Sequence, residues 1–198
     1  MTGTTGQPSR RAVLRMAASA PLLLGASAAL AVATSAPALA AQAGWRWCER
    51  CSGLWYSLNG TRGTCPAGNV FDGGHHSNGS GNYILKTVED GGRGQGNWRW
   101  CGACQGLWYG GNPTLGYCPN RGATGHTPIG PYPTVSSYYL IEDVGNRDSP
   151  GGQEQWRWCY KCAGMFFDGN TPGGSGRCPK DGLTHAVTGG SYVLRQVP

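Results

Sequence analysis

Beyond residue 40 the apolar positions fall in short alternating runs, not at helical spacing. Trp45-Arg46-Trp47, Trp98-Arg99-Trp100 and Trp156-Arg157-Trp158 alternate strictly, so in a strand each Trp pair shares one face with the arginine opposite. A second run follows each of them: Leu54-Trp55-Tyr56, Leu107-Trp108-Tyr109 and Met165-Phe166-Phe167. After a Gly-rich stretch comes a third: Tyr83-Ile84-Leu85, Tyr138-Tyr139-Leu140 and Tyr192-Val193-Leu194. Glycine and proline interrupt every run within a few residues, which predicts short strands and turns, an all-β chain without a helix after residue 40. Residues 89–96 and 142–155 are polar and Gly-rich, and are predicted to be connectors.

The runs belong to one phrase written three times. Trp-Arg-Trp-Cys-x-x-Cys-x-Gly recurs from Trp45, Trp98 and Trp156, and each copy passes through a Gly-rich turn to Cys65-Pro66, Cys118-Pro119 or Cys178-Pro179, then to a histidine and the third strand. The implied repeats are residues 41–90, 91–148 and 149–198. Each is too small to fold on apolar burial alone, so another stabilising element is required.

The first 40 residues read as an address. Ser9-Arg10-Arg11-Ala12-Val13-Leu14-Arg15 resembles a twin-arginine export motif, residues 16–33 carry no charge, and Ala38-Leu39-Ala40 has the small-x-small pattern of a signal peptidase site. The apolar stretch is rich in alanine and holds Pro21 and Gly25, which makes it a poor membrane anchor. Export with cleavage after Ala40 is the expectation, leaving a secreted protein with no stable membrane span.

Removing that segment changes the electrostatics. The formal charge of +6 falls to +3 when Arg10, Arg11 and Arg15 depart. The remaining basic residues are scattered singly, with no run suited to a phosphate backbone, so nucleic acid is not an expected partner.

Nine cysteines cannot all pair within one chain, nor three within one repeat. The spacings are Cys-x2-Cys-x13-Cys in the first two repeats and Cys-x2-Cys-x15-Cys in the third. A Cys-x-x-Cys turn places two thiolates on one side of a hairpin, and a distant Cys and His complete a tetrahedron around Zn²⁺. The candidate ligands are Cys48, Cys51 and Cys65; Cys101, Cys104, Cys118 and His126; and Cys159, Cys162, Cys178 and His185. The first repeat offers both His75 and His76: the distance to the following Tyr favours His76, the preceding glycine favours His75. About three structural zinc ions, each site carrying a net −1, would bring the holo protein near neutrality.

Trp-x-Trp-Cys-x-x-Cys-x-Gly-Leu-Trp-Tyr resembles the first knuckle of a zinc ribbon, and Cys-Pro followed by His and a strand resembles the second. The whole repeat is similar to ones found in tandem in secreted bacterial proteins. The resemblance implies a small metal-stapled all-β fold of three zinc-ribbon-like repeats, for which a pseudo-threefold arrangement is one natural packing. It implies location and repetition, and no particular activity.

Four protein ligands per site leave no open position for a catalytic water. Asp72, Asp168 and Asp181 sit in Gly-rich turns, and the pair Glu89-Asp90, echoed by Glu142-Asp143, has no counterpart in the third repeat. The aromatics have two readings. The Trp pairs form a miniature core with Leu54, Tyr83 and Leu85; Trp55, Tyr56, Trp108, Tyr109, Phe166 and Phe167 lie beside polar loops, where rings can stack on a sugar or peptide. The sequence therefore points to a secreted, non-catalytic binding protein for cell-wall or extracellular polysaccharide. A protein-interaction or inhibitor module comes next, and a small secreted hydrolase third.

Overall fold

A computed structural model describes residues 41–128, 139–170 and 175–197. The export segment read from residues 1–40, and Tyr138 at the start of one strand run, lie outside them.

Nine strands form. They are β1 (Gln42–Trp47), β2 (Leu54–Tyr56), β3 (Tyr83–Thr87), β4 (Gln95–Trp100), β5 (Leu107–Tyr109), β6 (Tyr139–Asp143), β7 (Gln153–Trp158), β8 (Met165–Phe167) and β9 (Tyr192–Gln196). The helical content among the described residues is one 3-10 turn, Val88–Asp90. No helix among them is long and apolar enough to cross a membrane.

Each repeat is a three-stranded antiparallel sheet whose first strand lies in the middle. The orders are β2-β1-β3, β5-β4-β6 and β8-β7-β9. The central strands bulge at one place, between Ala43 and Trp45, Gln95 and Trp98, and Gln153 and Trp156. There Gly44, Asn97 and Gln155 take left-handed backbone, φ 97, 66 and 69°. The bulge carries the central strand past residues 95–96 and 153–155, which their polar composition marked as connector. Residues 142–143 likewise belong to β6. Backbone pairing to the neighbouring strand holds these segments, so their strand character has no hydrophobic signature.

The three sheets close on one another. The end of β3 pairs with the start of β6 (Lys86 with Leu140, Thr87 with Tyr139), the end of β6 with the start of β9 (Glu142 with Val193, Asp143 with Tyr192), and the end of β9 with the start of β3 (Arg195 with Ile84, Gln196 with Tyr83). The register is the same at each step, which defines a pseudo-threefold axis. Three strands cannot all be mutually antiparallel along their length. Lying across the axis, each a third of a turn from the next, they can pair only at their ends, and each pairing is accordingly two residues long.

One core fills the centre. It takes the same four positions from every repeat: Trp45, Trp98 and Trp156; Leu54, Leu107 and Met165; Tyr83, Tyr139 and Tyr192; Leu85, Ile141 and Leu194. The ring of each of these tyrosines meets the core Trp of a neighbouring repeat edge-on, at 5.1–5.2 Å between centroids. Its hydroxyl donates to the glutamine that opens a central strand: Tyr139 to Gln42, Tyr83 to Gln153, and Tyr192 to Gln95 at 2.7 Å. The repeats are thus copies in structure that share a single core, and a Trp from each pair is structural, as the sequence suggested.

Candidate metal centres

The first Cys of each phrase ends the central strand and begins a tight knuckle. Cys48 N–H donates to the Gly53 carbonyl and Ser52 N–H to the Cys48 carbonyl; the same two bonds join Cys101, Gly106 and Gln105, and Cys159, Gly164 and Ala163, all at 2.8–3.0 Å. The residue after the second Cys must therefore adopt left-handed backbone: Ser52, Gln105 and Ala163 have φ of 60, 67 and 63°. That conformation costs a non-glycine residue about 1–2 kcal/mol. All three are buried, so the knuckle is held by its surroundings.

The third Cys opens a turn that returns the chain as a histidine. Gly68, Arg121 and Gly182 donate to the Cys65, Cys118 and Cys178 carbonyls. The result is three buried clusters: Cys48, Cys51, Cys65 and His75; Cys101, Cys104, Cys118 and His126; Cys159, Cys162, Cys178 and His185, with the ligand atoms of each within 4.8 Å of one another. Sulfur–sulfur distances from first to third Cys are 3.8, 3.9 and 3.9 Å, far beyond a disulfide bond. Nδ1 of His75, His126 and His185 stands 3.5, 3.6 and 3.7 Å from the second Cys sulfur. A tetrahedral ion with bonds of about 2.3 Å to sulfur and about 2.0–2.1 Å to nitrogen has edges of about 3.8 and 3.6 Å. The donors fit a metal in type, number and spacing.

The electrostatics suits a cation. Hydrogen bonds from Cys51 and Cys65 hold the Cys48 thiol far below its ordinary value, while interaction with Cys48 pushes Cys51 up and Cys65 up to about 11. In the second cluster burial pushes His126 down, but Cys101 and Cys118 outweigh it and raise it to about 9. One thiolate forms readily and resists the next; a bound cation removes that resistance. Backbone N–H groups of His76, Thr127 and Ala186 point at the sulfurs of Cys48, Cys101 and Cys159, at 3.4–3.5 Å, supplying the outer contacts expected around thiolate ligands.

In the first repeat His75 is the residue brought into the cluster. The ring of His76 turns the other way, to the Asp72 carboxylate, with Arg62 Nη1 3.0 Å from its Nε2 and Glu49 3.5 Å from its Nδ1. Repeat 1 has a longer excursion between Cys65 and His75 than its sisters, braced by Arg50 on the Ala67 and Asp72 carbonyls.

The aromatic candidates divide into two sets. Trp55, Trp108 and Phe166 are 3, 1 and 0% exposed and stack on the ligand histidines, centroids 5.3, 5.2 and 4.5 Å apart and planes within 17°. They wall the metal clusters, so the reading of these three as open stacking surfaces gives way to a packing role. Tyr56, Tyr109 and Phe167 stay half-buried and meet, edge-on, the second Trp of another repeat: Trp100 and Trp158 at 6.0 Å and Trp47 at 6.5 Å.

Other candidate carboxylates are already engaged. Asp90 accepts from the Thr87 N–H and hydroxyl, Asp168 from Ser175, and Asp181 from Lys161 and the Leu183 N–H. Glu142 is 4% exposed between Lys86 and Arg195.

One set of contacts has no sequence signal. Nε2 of His75 lies 3.2 Å from the Cys104 carbonyl, that of His126 3.1 Å from Cys162, and that of His185 3.2 Å from Cys51. Every ligand histidine thereby touches the knuckle of another repeat. The chain matches no protein family, and no curated protein or solved structure is similar enough to be set beside it.

Proposed function

We propose that this is an exported, non-catalytic binding protein in which three zinc ions are structural staples and the ligand is a cell-wall or extracellular polysaccharide. Zinc is favoured by the Cys3His donor sets and tetrahedral edges. A full set of four buried protein ligands leaves no position for substrate or activated water. Folding and metal loading on reduced thiols in the cytoplasm, followed by export of the folded protein, suits the twin-arginine motif.

The observation that carries the binding reading is the threefold recurrence of half-buried aromatic pairs at the repeat boundaries, Tyr56 with Trp100, Tyr109 with Trp158 and Phe167 with Trp47. Half-buried rings between repeats suit the apolar faces of sugars, and three equivalent pairs would bind a repeating polymer with avidity. Binding to insoluble cell-wall polysaccharide, lost in Tyr109→Ala and Trp158→Ala while metal content and circular dichroism stay unchanged, is the predicted result. Undiminished binding by both variants would contradict it.

A second reading, a protein-interaction module, has its own observation. Val70 and Phe71 are 92 and 96% exposed at the tip of the longer first-repeat loop. A partner protein captured by wild type and released by Phe71→Ser, without competition from sugars, would favour this reading.

A further inference from the structure

We infer that the three metal clusters are linked in a closed, directional ring, each bound ion stiffening the knuckle that holds the next. The inference rests on the clusters holding metal. In each of them Nδ1 is the histidine atom facing the sulfurs and Nε2 the atom facing a carbonyl of another repeat. A metal on Nδ1 leaves the ring proton only on Nε2, so loading fixes the imidazole as a donor and, by drawing charge from the ring, strengthens the bond it donates.

The acceptor is well chosen. Cys104, Cys162 and Cys51 are each the second Cys of a knuckle, and their carbonyls lead into the left-handed residues Gln105, Ala163 and Ser52. Holding that carbonyl holds the peptide that aims the ligand sulfur. A second donor from the same repeat as the histidine reaches each carbonyl: Thr64 N–H to Cys104 at 3.4 Å, Tyr117 to Cys162 at 3.1 Å and Arg177 to Cys51 at 3.3 Å. The approach is close enough to require glycine just before. A Cβ on Gly63, Gly116 or Gly176 would lie 2.2, 2.3 or 2.0 Å from the same carbonyl oxygens. The contact is built identically three times.

The order is cyclic. The cluster of repeat 1 supports that of repeat 2, repeat 2 supports repeat 3, and repeat 3 supports repeat 1. With one ion bound, no link joins two loaded clusters; with two, one link does; the third ion completes the remaining two together. A link worth about fivefold in affinity, the lower end of ordinary site-to-site coupling, makes the last ion bind about 25-fold more tightly than the first. Partly loaded protein is disfavoured, and the knuckles become rigid as a set.

Two measurements test this. Chelator-stripped protein half-loaded with zinc and followed by native mass spectrometry should hold more of the zinc-free and three-zinc forms together than of the one- and two-zinc forms; a binomial spread, in which one and two ions prevail, would overturn the ring. A shared core alone could couple the sites, but without direction. His75→Cys keeps a thiolate ligand and loses the Nε2 donor, so hydrogen exchange in the 101–106 knuckle should quicken about tenfold while the 159–164 knuckle is unchanged. In His126→Cys the faster exchange should move to 159–164. Equal effects on both distant knuckles, or none on the one predicted, would overturn the ring. The mass distribution uses the wild-type chain, so a binomial spread there overturns the ring whether or not a variant folds. No zinc uptake at all would instead overturn the metal reading itself.

Discussion

Lys86 and Glu142 occupy the same position in successive repeats, the fourth residue of β3 and of β6, and their side chains meet 2.9 Å apart. Arg195, the fourth residue of β9, reaches the other carboxylate oxygen at 2.8 Å. Three copies of one charge could not gather there. The + − + set makes the three repeats unequal where they close, and the buried Glu142 is its centre.

Glu142→Lys should therefore cost about 3–5 kcal/mol, as removal of one partner from a buried pair does. Adding Arg195→Glu to it should restore at least half the loss. Denaturant midpoints decide this, and a double variant no better than the single would contradict pairing as the cause.

The same group predicts a pH dependence. Burial pushes the Glu142 carboxyl up, but Lys86, the Asp148 N–H and Arg195 outweigh it and hold it below its ordinary 4.5. Such a group adds stability that is complete above its unfolded value and lost as pH falls through its folded one. For Lys86, burial pushes downward, yet Asp148 and Glu142 hold it above its ordinary 10.5; its share is complete below that value and lost as pH rises through the folded one. The stability gap between wild type and Glu142→Gln should stay level from about pH 6 to 9 and narrow below about pH 4.5. A gap independent of pH down to acid unfolding would contradict it.

Gly176 and Gly60 have nearly the same left-handed backbone, φ 65 and 70°, and differ in what a Cβ would meet: the Cys51 carbonyl at 2.0 Å in one case, nothing within 4 Å in the other. Gly60→Ala should cost about 1–2 kcal/mol, the conformational cost alone. Gly176→Ala should cost at least twice that, because two backbones must separate. Equal thermal shifts for the two would contradict the close crossing of repeats.

Repeat 3 suggests a substitution in repeat 2. Phe166 stacks on His185 where Trp108 stacks on His126, and the Trp108 indole N–H has no hydrogen-bond partner among the described residues. Trp108→Phe should lose less than about 2 kcal/mol, against about 3–5 for Trp108→Ala. A calorimetric melt of each checks the pair.

How far the sequence reached depends on which contacts are local. The strand runs and the Cys-x-x-Cys turns are written in adjacent residues, and the Cys3His sets are legible because their spacing recurs three times. His75 and His76 were not separable, because the longer loop in repeat 1 upsets counting from either side. The prediction is now definite: His75→Ala should lose one metal ion per chain and His76→Ala none, by elemental analysis. Ser52, Gln105 and Ala163 hold a conformation usually marked by glycine, so composition could not reveal it. The pairings among β3, β6 and β9 are two residues each, too brief to leave a pattern. Trp55 and Trp108 looked exposed because their sequence neighbours are polar, whereas their burial is made by histidines 18 to 20 residues further on.

The most direct test of the account is to count metal and thiols in protein purified without added metal. Three zinc ions and nine free thiols per chain, the latter measured under denaturing conditions, are the predicted result for three Cys3His clusters with all nine cysteines unbridged. Protein free of zinc, with its cysteines oxidised in pairs, would contradict it.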